Sequence, residues 1–246
     1  MPTVSVVIPA LNEAECIAAA IRSARDAGAD EVVVSDGGSE DGTAEAARML
    51  ADVVVVAPRG RAAQMNAGAR ASSGDVLLFL HADTLLPPAA IGAVRKAVAE
   101  DGIAGGGFAV RLGLSRDASS ARRTLLRLTA RMINARARLL RAYTGDQGIF
   151  VARRTFEEMG GYPEIPLMED VELSRMLGRR WRTALLPVRV VTSARRWESR
   201  GPVRTILLMW ALRLAHRLGM TPARCARIYG RGSRATPRSE EAASGH

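Results

Sequence analysis

The chain has 246 residues, 48% of them hydrophobic and 24% charged, which fits a folded domain with a sizeable core and excludes a disordered or fibrous chain. Its net charge of +10 is unevenly placed: residues 1–110 hold 8 Lys+Arg against 14 Asp+Glu, a balance of −6, and residues 111–246 hold 27 against 11, a balance of +16. With aromatics at 4% and no nucleic-acid motif, the basic half points to anionic lipid or a phosphorylated partner molecule and away from nucleic acid. Cys16 and Cys225 fit no metal spacing, and Cys16 reads as a buried thiol in a helix, in a reduced compartment. The chain opens almost directly into a strand, and no apolar run reaches the roughly 20 residues that cross a bilayer. A cytoplasmic protein is expected.

The first hundred residues alternate regularly. Strand patterns fall at Val4–Ile8, Glu31–Ser35, Val53–Ala57 and Val76–Leu80, with helical patterns at Glu15–Ala27, Thr43–Leu50, Arg61–Ala71 and Pro88–Ala99. This βα repetition predicts an α/β protein with a parallel sheet and crossover helices. Gly105-Gly106-Gly107 breaks the rhythm, and Phe108–Leu112 reads as a strand running the other way. Ala118–Leu139 is a basic helical stretch with no acidic residue. Helix Glu169–Leu177, short strands Thr183–Leu186 and Val188–Thr192 around Pro187, and helix Val203–Leu218 complete a single domain over 1–234. The polar tail 235–246 is expected to be disordered.

Val32-Val33-Val34-Ser35-Asp36-Gly37-Gly38 reads as a buried strand that delivers Asp36 to its C-terminal edge, where open α/β sheets bind ligands. The glycines let backbone pass close to a ligand. Asp41 or Thr43 can cap the next helix. The run Val76–Leu80 also ends in a carboxylate, at His81-Ala82-Asp83. Two carboxylates at two strand ends suggest a nucleotide site with a metal beside it. Pro9 is expected to end the first strand. Asn12 and Glu13 can cap the first helix or hydrogen-bond a base and ribose at its N-terminus. Arg59 and Arg61 precede the helix bearing Gln64 and Asn66, and either meet phosphate or base or form a solvated charge pair. Gly145-Asp146-Gln147-Gly148 is a turn or a place of close substrate approach. Glu169-Asp170, after Pro166, favours the helix dipole and is a second candidate acidic site.

Val6-Val7-Ile8-Pro9-Ala10-Leu11-Asn12-Glu13 resembles the opening of family 2 glycosyltransferases, enzymes of the GT-A fold. The Asp36 segment, His81-Ala82-Asp83 and Glu169-Asp170 follow in the order and approximate spacing of that family's other motifs, so the resemblance covers roughly residues 3–190. Arg59-Gly60-Arg61-Ala62-Ala63-Gln64-Met65-Asn66 and Thr192-Ser193-Ala194-Arg195-Arg196-Trp197 resemble a bacterial subgroup. The resemblance implies a Rossmann-like, mostly parallel sheet flanked by helices, with a nucleotide-sugar half (1–110) and an acceptor-side half (111–234). It implies a UDP-hexose or GDP-mannose donor, Mg²⁺ or Mn²⁺, and inverting transfer to an acceptor hydroxyl on a lipid or small molecule.

Residue by residue, the resemblance places Pro9, Asn12, Glu13, Arg59, Arg61, Gln64, Asn66, His81 and Ala82 around the nucleotide-sugar. Asp36 resembles the carboxylate that recognises the base, such as uracil N3–H. Asp83 fills the retained acidic position of the family's Asp-x-Asp and is the expected metal ligand. His81 stands where the first Asp belongs. Gly145, Asp146, Gln147 and Gly148 line the acceptor and sugar pocket, and Asp170 is the general base with Glu169 as its substitute. Arg195 and Arg196 neutralise the leaving diphosphate, although Ser193 replaces the Gln that many relatives carry there. Two other readings stand beside this one: a nucleotidyltransferase, whose glycine- and lysine-rich first loop is missing here, and a non-catalytic nucleotide-sugar-binding protein. The stripe Ile206, Leu207, Trp210, Leu214 and Leu218, with Arg213 and Arg217 beside it, either docks on anionic membrane or packs on the sheet.

Overall fold

Strand β1 (Val4–Ala10) is buried along almost its whole length, as a strand covered by helices on both faces must be. Its side chains alternate between two cores. Val4, Val6 and Ile8 face helices α1 (Ala14–Asp26), α2 (Thr43–Arg48) and α4 (Ala90–Ala99) through Ile17, Ile21, Ala47, Ile91 and Val94. Val7 faces the other way, onto α3 (Arg61–Ala71), α6 (Arg153–Glu158) and α7 (Glu169–Arg180) through Met65, Phe156, Leu173 and Leu177. A computed structural model describes residues 1–113, 119–193 and 202–233.

The remaining strands are β2 (Glu31–Asp36), β3 (Val53–Val56), β4 (Val76–Phe79), β5 (Thr84–Leu85), β6 (Gly105–Gly113), β7 (Ile149–Ala152) and β8 (Thr183–Ser193). They form one sheet in the order β3-β2-β1-β4-β7-β6-β8-β5. Strands β1 to β4 are parallel, as the βα alternation predicts. The first reversal differs from expectation. β7 is the inverted strand, antiparallel to both β4 and β6, so β6 keeps the sense of the first four. The segment around Pro187 is likewise one strand. β8 pairs in parallel with β6, and its register slips between Phe108 and Ala109, opposite Leu186 and Arg189. Pro187, which has no N–H to donate, sits in that bulge.

Gly105-Gly106-Gly107 begins β6 instead of ending the sheet. A Cβ on Gly106 would lie 1.9 Å from the Ala184 carbonyl oxygen, and one on Gly105 2.7 Å from that of Phe150, so only glycine fits between β7 and β8. Helix α5 (Ser120–Leu140) lies against β6, where Asn134 donates to the Val110 carbonyl and accepts from its N–H. Helices α8 (Pro202–Arg217) and α9 (Pro222–Ser233) close the described chain; α9 has no counterpart among the expected elements. Leu212 packs with Met168 and Cys225 in a small separate core. Cys225 is buried, whereas Cys16 is only half-buried.

Candidate functional site

The C-terminal ends of β1, β2 and β4 meet at one edge of the sheet, beside the N-termini of α1 and α3. β1 runs one residue past Pro9, to Ala10. There β4 has already ended opposite Val7, so β1 has β2 as its strand neighbour and the missing Pro9 N–H breaks no ladder.

Asp36 lies at this edge, 2% exposed, and organises the glycine loop after it. Its carboxylate accepts from the Gly38 and Ser39 N–H groups, each at 2.9 Å, and from the Ser39 hydroxyl. The same loop is tied to the start of α1. Asn12, at φ 54°, accepts from the Glu40 N–H and donates its own N–H to Ser39 Oγ. Asp41 takes the Ala14 N–H and Thr43 the Glu13 N–H, so these two cap α1 across the loop, and Asp41 also accepts from the Thr43 N–H. The Glu13 side chain makes no cap bond. Arg59, largely exposed, reaches over this loop to the Gly38 carbonyl at 3.3 Å and to Glu40 at 3.4 Å.

Several of the expected site residues, from both the nucleotide-sugar and the acceptor groups, make contacts within the scaffold. Gln64 is 4% exposed and donates to the carbonyls of Ala10 (2.7 Å) and Ser35 (3.1 Å), stitching the ends of β1 and β2. Asn66 uses both ends of its amide on the Tyr162 backbone. The Ala82 side chain packs in the main core. Gln147 is fully buried, donates to the Phe108 carbonyl and closes a capping box with Thr144. Asn66 and Gln147 have both ends of the amide engaged, and Gln64 its Nε2, so these side chains brace the scaffold. Gly148, at φ 60°, turns the chain into β7.

His81, Gly145 and Asp146 form one contact although 64 positions separate the first two. The 3-10 turn Gly145–Gln147 places Asp146 Oδ1 3.3 Å from His81 Nδ1, which is buried and lacks a well-aligned hydrogen bond. The imidazole lies close against Gly145, where an added Cβ would come within 2.0 Å of Nε2. Gly145→Ala is therefore expected to displace His81 or the turn, costing about 1–3 kcal/mol as over-packing does. Thermal unfolding of the variant measures it, and an unchanged Tm would contradict the close approach.

Asp170 and Glu169 open α7. Asp170 accepts from the Gly145 N–H at 3.0 Å and the Val171 N–H at 2.7 Å, so it is locked to the same turn. Glu169 is 5% exposed and lies 3.9 Å from Arg61, which makes Arg61 its partner across the site. Burial, and then the neighbouring Asp170 charge, push the Glu169 carboxyl above its ordinary range, against the pull of Arg61 and His81. A raised folded-state value means that ionising Glu169 destabilises the fold: the fold is favoured at low pH, and this is lost as pH rises through the raised value. Glu169→Gln is thus expected to raise Tm at pH 7 to 8, with the gap closing below the ordinary value of 4.5. A pH series of melting curves checks this, and a variant less stable at every pH would refute it.

A cavity of about 1610 Å³ opens beside this turn, between α5, α7 and α8. Asp83, Asp146, Thr144 and Val171 line it; Glu169 and Asp170 are not among its lining, although Asp170 is bonded to the turn that carries Asp146. Sequence reasoning missed its other wall. Glu172 receives Arg175 at 2.5 Å and His216 Nε2 at 3.0 Å, and His216 Nδ1 stands 3.2 Å from the Met220 carbonyl. Burial raises the Glu172 carboxyl, but the hydrogen bonds from Arg175 and His216 outweigh it and hold it below its ordinary range. This cluster ties α8 to α7. The one available clue was Glu172 falling three positions after Glu169, and its partner lies 44 residues away. Arg195 and Arg196 lie outside the described residues, as does Trp197.

Among the described residues no group of three acidic, His or Cys side chains could hold a metal by itself. The donor set still suits Mg²⁺ or Mn²⁺, because such ions are held by one or two carboxylates together with substrate phosphates and need no all-protein cage. Asp83 offers a carboxylate that accepts a long hydrogen bond, 3.5 Å, from Thr84 Oγ1 and lines the cavity. Its backbone carbonyl is fixed by the Ser193 N–H at 3.0 Å, which holds the turn in place.

Among solved structures, the mannosyltransferase PcManGT from Pyrobaculum calidifontis, in complex with GDP-Man and Mn²⁺, matches with a TM-score of 0.60 at 22% identity, over 95% of this chain and 70% of that one. S. aureus TarS 1-349 matches at 0.60 and 16% identity over 78% of this chain and 60% of its own. Glucosyl-3-phosphoglycerate synthase from Mycobacterium tuberculosis, with Mg²⁺ and UDP, matches at 0.56 and 23% over 76% and 70%. These likenesses show the GT-A fold. Glycosyltransferase AglE of Haloferax volcanii is 37% identical over 94 residues, 34% of this chain and 31% of AglE, so the chain spans under a third of that relative. No helix among the described residues is long and apolar enough to cross a membrane. The profile of the family described as "Glycosyl transferase family 2" matches residues 5–159, well over half of the sequence, and the chain belongs to that family.

Proposed function

We propose that this chain moves a hexose from a nucleoside diphosphate sugar, UDP-hexose or GDP-mannose, to an acceptor hydroxyl with inversion of configuration, in a reaction that needs Mg²⁺ or Mn²⁺. The observation that carries the reading is the convergence at one sheet edge of Asp36, Asp83 and the Gly145 turn to which Asp170 is locked. The base and ribose lie against the Gly37-Gly38 loop, with Glu13 and Arg59 beside it. Asp83 would hold the ion together with the donor diphosphate, and the ion would stabilise the charge of the departing nucleotide. His81, braced by Asp146, replaces the first acid of the family's pair and shapes the sugar end of the site. Asp170 takes the proton from the acceptor hydroxyl as it attacks the anomeric carbon from the face opposite the nucleotide. Glu169, buried against Arg61, holds the start of α7 in position.

Release of UDP from UDP-hexose, with and without Mn²⁺ and after chelation, tests the reading. Metal-dependent release supports it. Binding without turnover in any condition points to a nucleotide-sugar-binding protein, and release of pyrophosphate from a nucleoside triphosphate to a nucleotidyltransferase. GDP-mannose run in parallel distinguishes the two donors.

A further inference from the structure

The cavity is larger than one sugar requires, and its two ends differ chemically. Ligand pockets are commonly about 300–1,000 Å³, against about 1610 Å³ here. One end carries Asp83 and Asp146. From Val171 the lining follows α7 to Arg179, eight residues and so about 12 Å away at the helical rise. There Arg179 meets the end of α5. The Arg141 Cβ lies 3.8 Å from where a Cβ on Gly178 would be, which brings the two arginines to the same rim. Both line the cavity, and among the described residues neither has an ion-pair partner.

Helix dipoles account for an arginine at each helix C-terminus. They do not account for two arginines from different helices lining one end of the same cavity, neither with an ion-pair partner among the described residues. Between the acidic and basic ends, Met132, Ile133 and Leu140 of α5 and Met209, Trp210 and Leu214 of α8 bring hydrocarbon to the wall, beside the polar cluster of Glu172, Arg175 and His216. Leu140, Trp210 and Leu214 line the cavity and are each more than half exposed, at 56%, 56% and 59%. A small polar acceptor leaves this wall wet. A ligand with an apolar body and an acidic group covers the wall and answers the guanidinium forks together.

We propose that the acceptor is an acidic amphiphile: a molecule with an apolar body and a phosphate or carboxylate that seats at Arg141 and Arg179, about one α7 length from the hydroxyl that is glycosylated. The assignment rests on reading the Asp83 end as the donor site. The same chemistry is offered by the headgroup of an anionic lipid and by a free alkyl phosphate or acid.

The probe is dodecyl phosphate below its critical micelle concentration, titrated into the full chain without donor and followed by calorimetry. Saturable binding is expected. It should weaken tenfold or more in the double variant Arg141→Gln/Arg179→Gln and in high salt, while dodecyl maltoside, neutral and of the same chain length, binds at least tenfold less tightly than dodecyl phosphate. Both arginines are surface side chains, and equal Tm values confirm that the variant is folded. Co-sedimentation with phosphatidylglycerol vesicles separates the sources. Arginine-dependent vesicle binding assigns the group to a lipid, and arginine-dependent binding of the soluble probe without vesicle binding assigns it to a free acid. Equal affinity for the charged and neutral probes, or full affinity in the double variant, overturns the proposal. UDP binding in Mn²⁺ is measured separately, so a failed donor site shows there and leaves the amphiphile result standing.

Discussion

Asp83→Ala is expected to abolish sugar transfer, lowering turnover by about a thousandfold or more, roughly 4 kcal/mol of transition-state stabilisation. The reasoning starts from position. β4 is fully buried in the middle of the sheet, so its exit is fixed, and the turn after it is held by the Ser193 N–H on the Asp83 carbonyl. The Asp83 side chain carries none of that load. Its removal should leave the fold intact while taking away the cavity-facing carboxylate nearest the end of β4. A group that binds ion and diphosphate together also affects the ground state. UDP affinity measured in Mn²⁺ should therefore fall at least about tenfold, about 1.4 kcal/mol, while affinity without metal changes little. Calorimetry with and without Mn²⁺ separates the two. Unchanged metal-dependent binding in the folded variant would remove Asp83 from the metal site and move attention to Asp146, the other acid at that end.

The legible parts of this molecule are those governed by short-range pattern. Continuous β-branched runs separated by amphipathic segments identify β1 to β4 and their crossover helices, because a parallel strand must be apolar on both faces. The expected and observed bounds of α3 coincide at Arg61–Ala71. The errors lie where distant segments decide. β7 has four residues, too few to show a direction, and becomes antiparallel only because β4 and β6 flank it. A proline between two apolar runs reads as a break, whereas β8 absorbs it in a register shift against β6. The site follows the same division. The placement of Asp36 and Asp83 at or beyond the ends of β2 and β4 was legible, because a carboxylate following a buried apolar run is a local signature. The scaffold contacts of Gln64, Asn66 and Gln147 were not legible, because an amide that faces a ligand and one that faces a buried carbonyl look alike in sequence. What separates them is whether Ala10, Tyr162 or Phe108 stands opposite. The seat of His81 on Gly145 and the Glu172–His216 pair are contacts between remote segments, and no spacing rule reaches them.

Asp170→Asn is expected to lower kcat by about a thousandfold, about 4 kcal/mol, with donor affinity near that of the wild type. The two acids at the start of α7 are distinguished by their surroundings. Glu169 is 5% exposed and faces Arg61, so an acceptor hydroxyl would have to enter the core to reach it. Asp170 is less buried, and hydrogen bonds from Gly145 and Val171 aim it at the turn that carries Asp146 into the cavity. A general base must stand within hydrogen-bond reach of the proton it removes, directly or through one water, and by that criterion Asp170 is better placed. Asparagine keeps an oxygen for the Gly145 N–H and loses the capacity to take a proton, so the substitution separates chemistry from scaffolding. A role confined to the transition state lowers kcat and kcat/KM together and leaves UDP-sugar binding alone. A purely structural role would instead lower Tm and donor affinity with it. Glu169→Gln should retain far more activity than Asp170→Asn, because Glu169 is buried against Arg61 and takes no proton from the acceptor. If the Glu169 variant is inactive and the Asp170 variant turns over, the two roles are reversed.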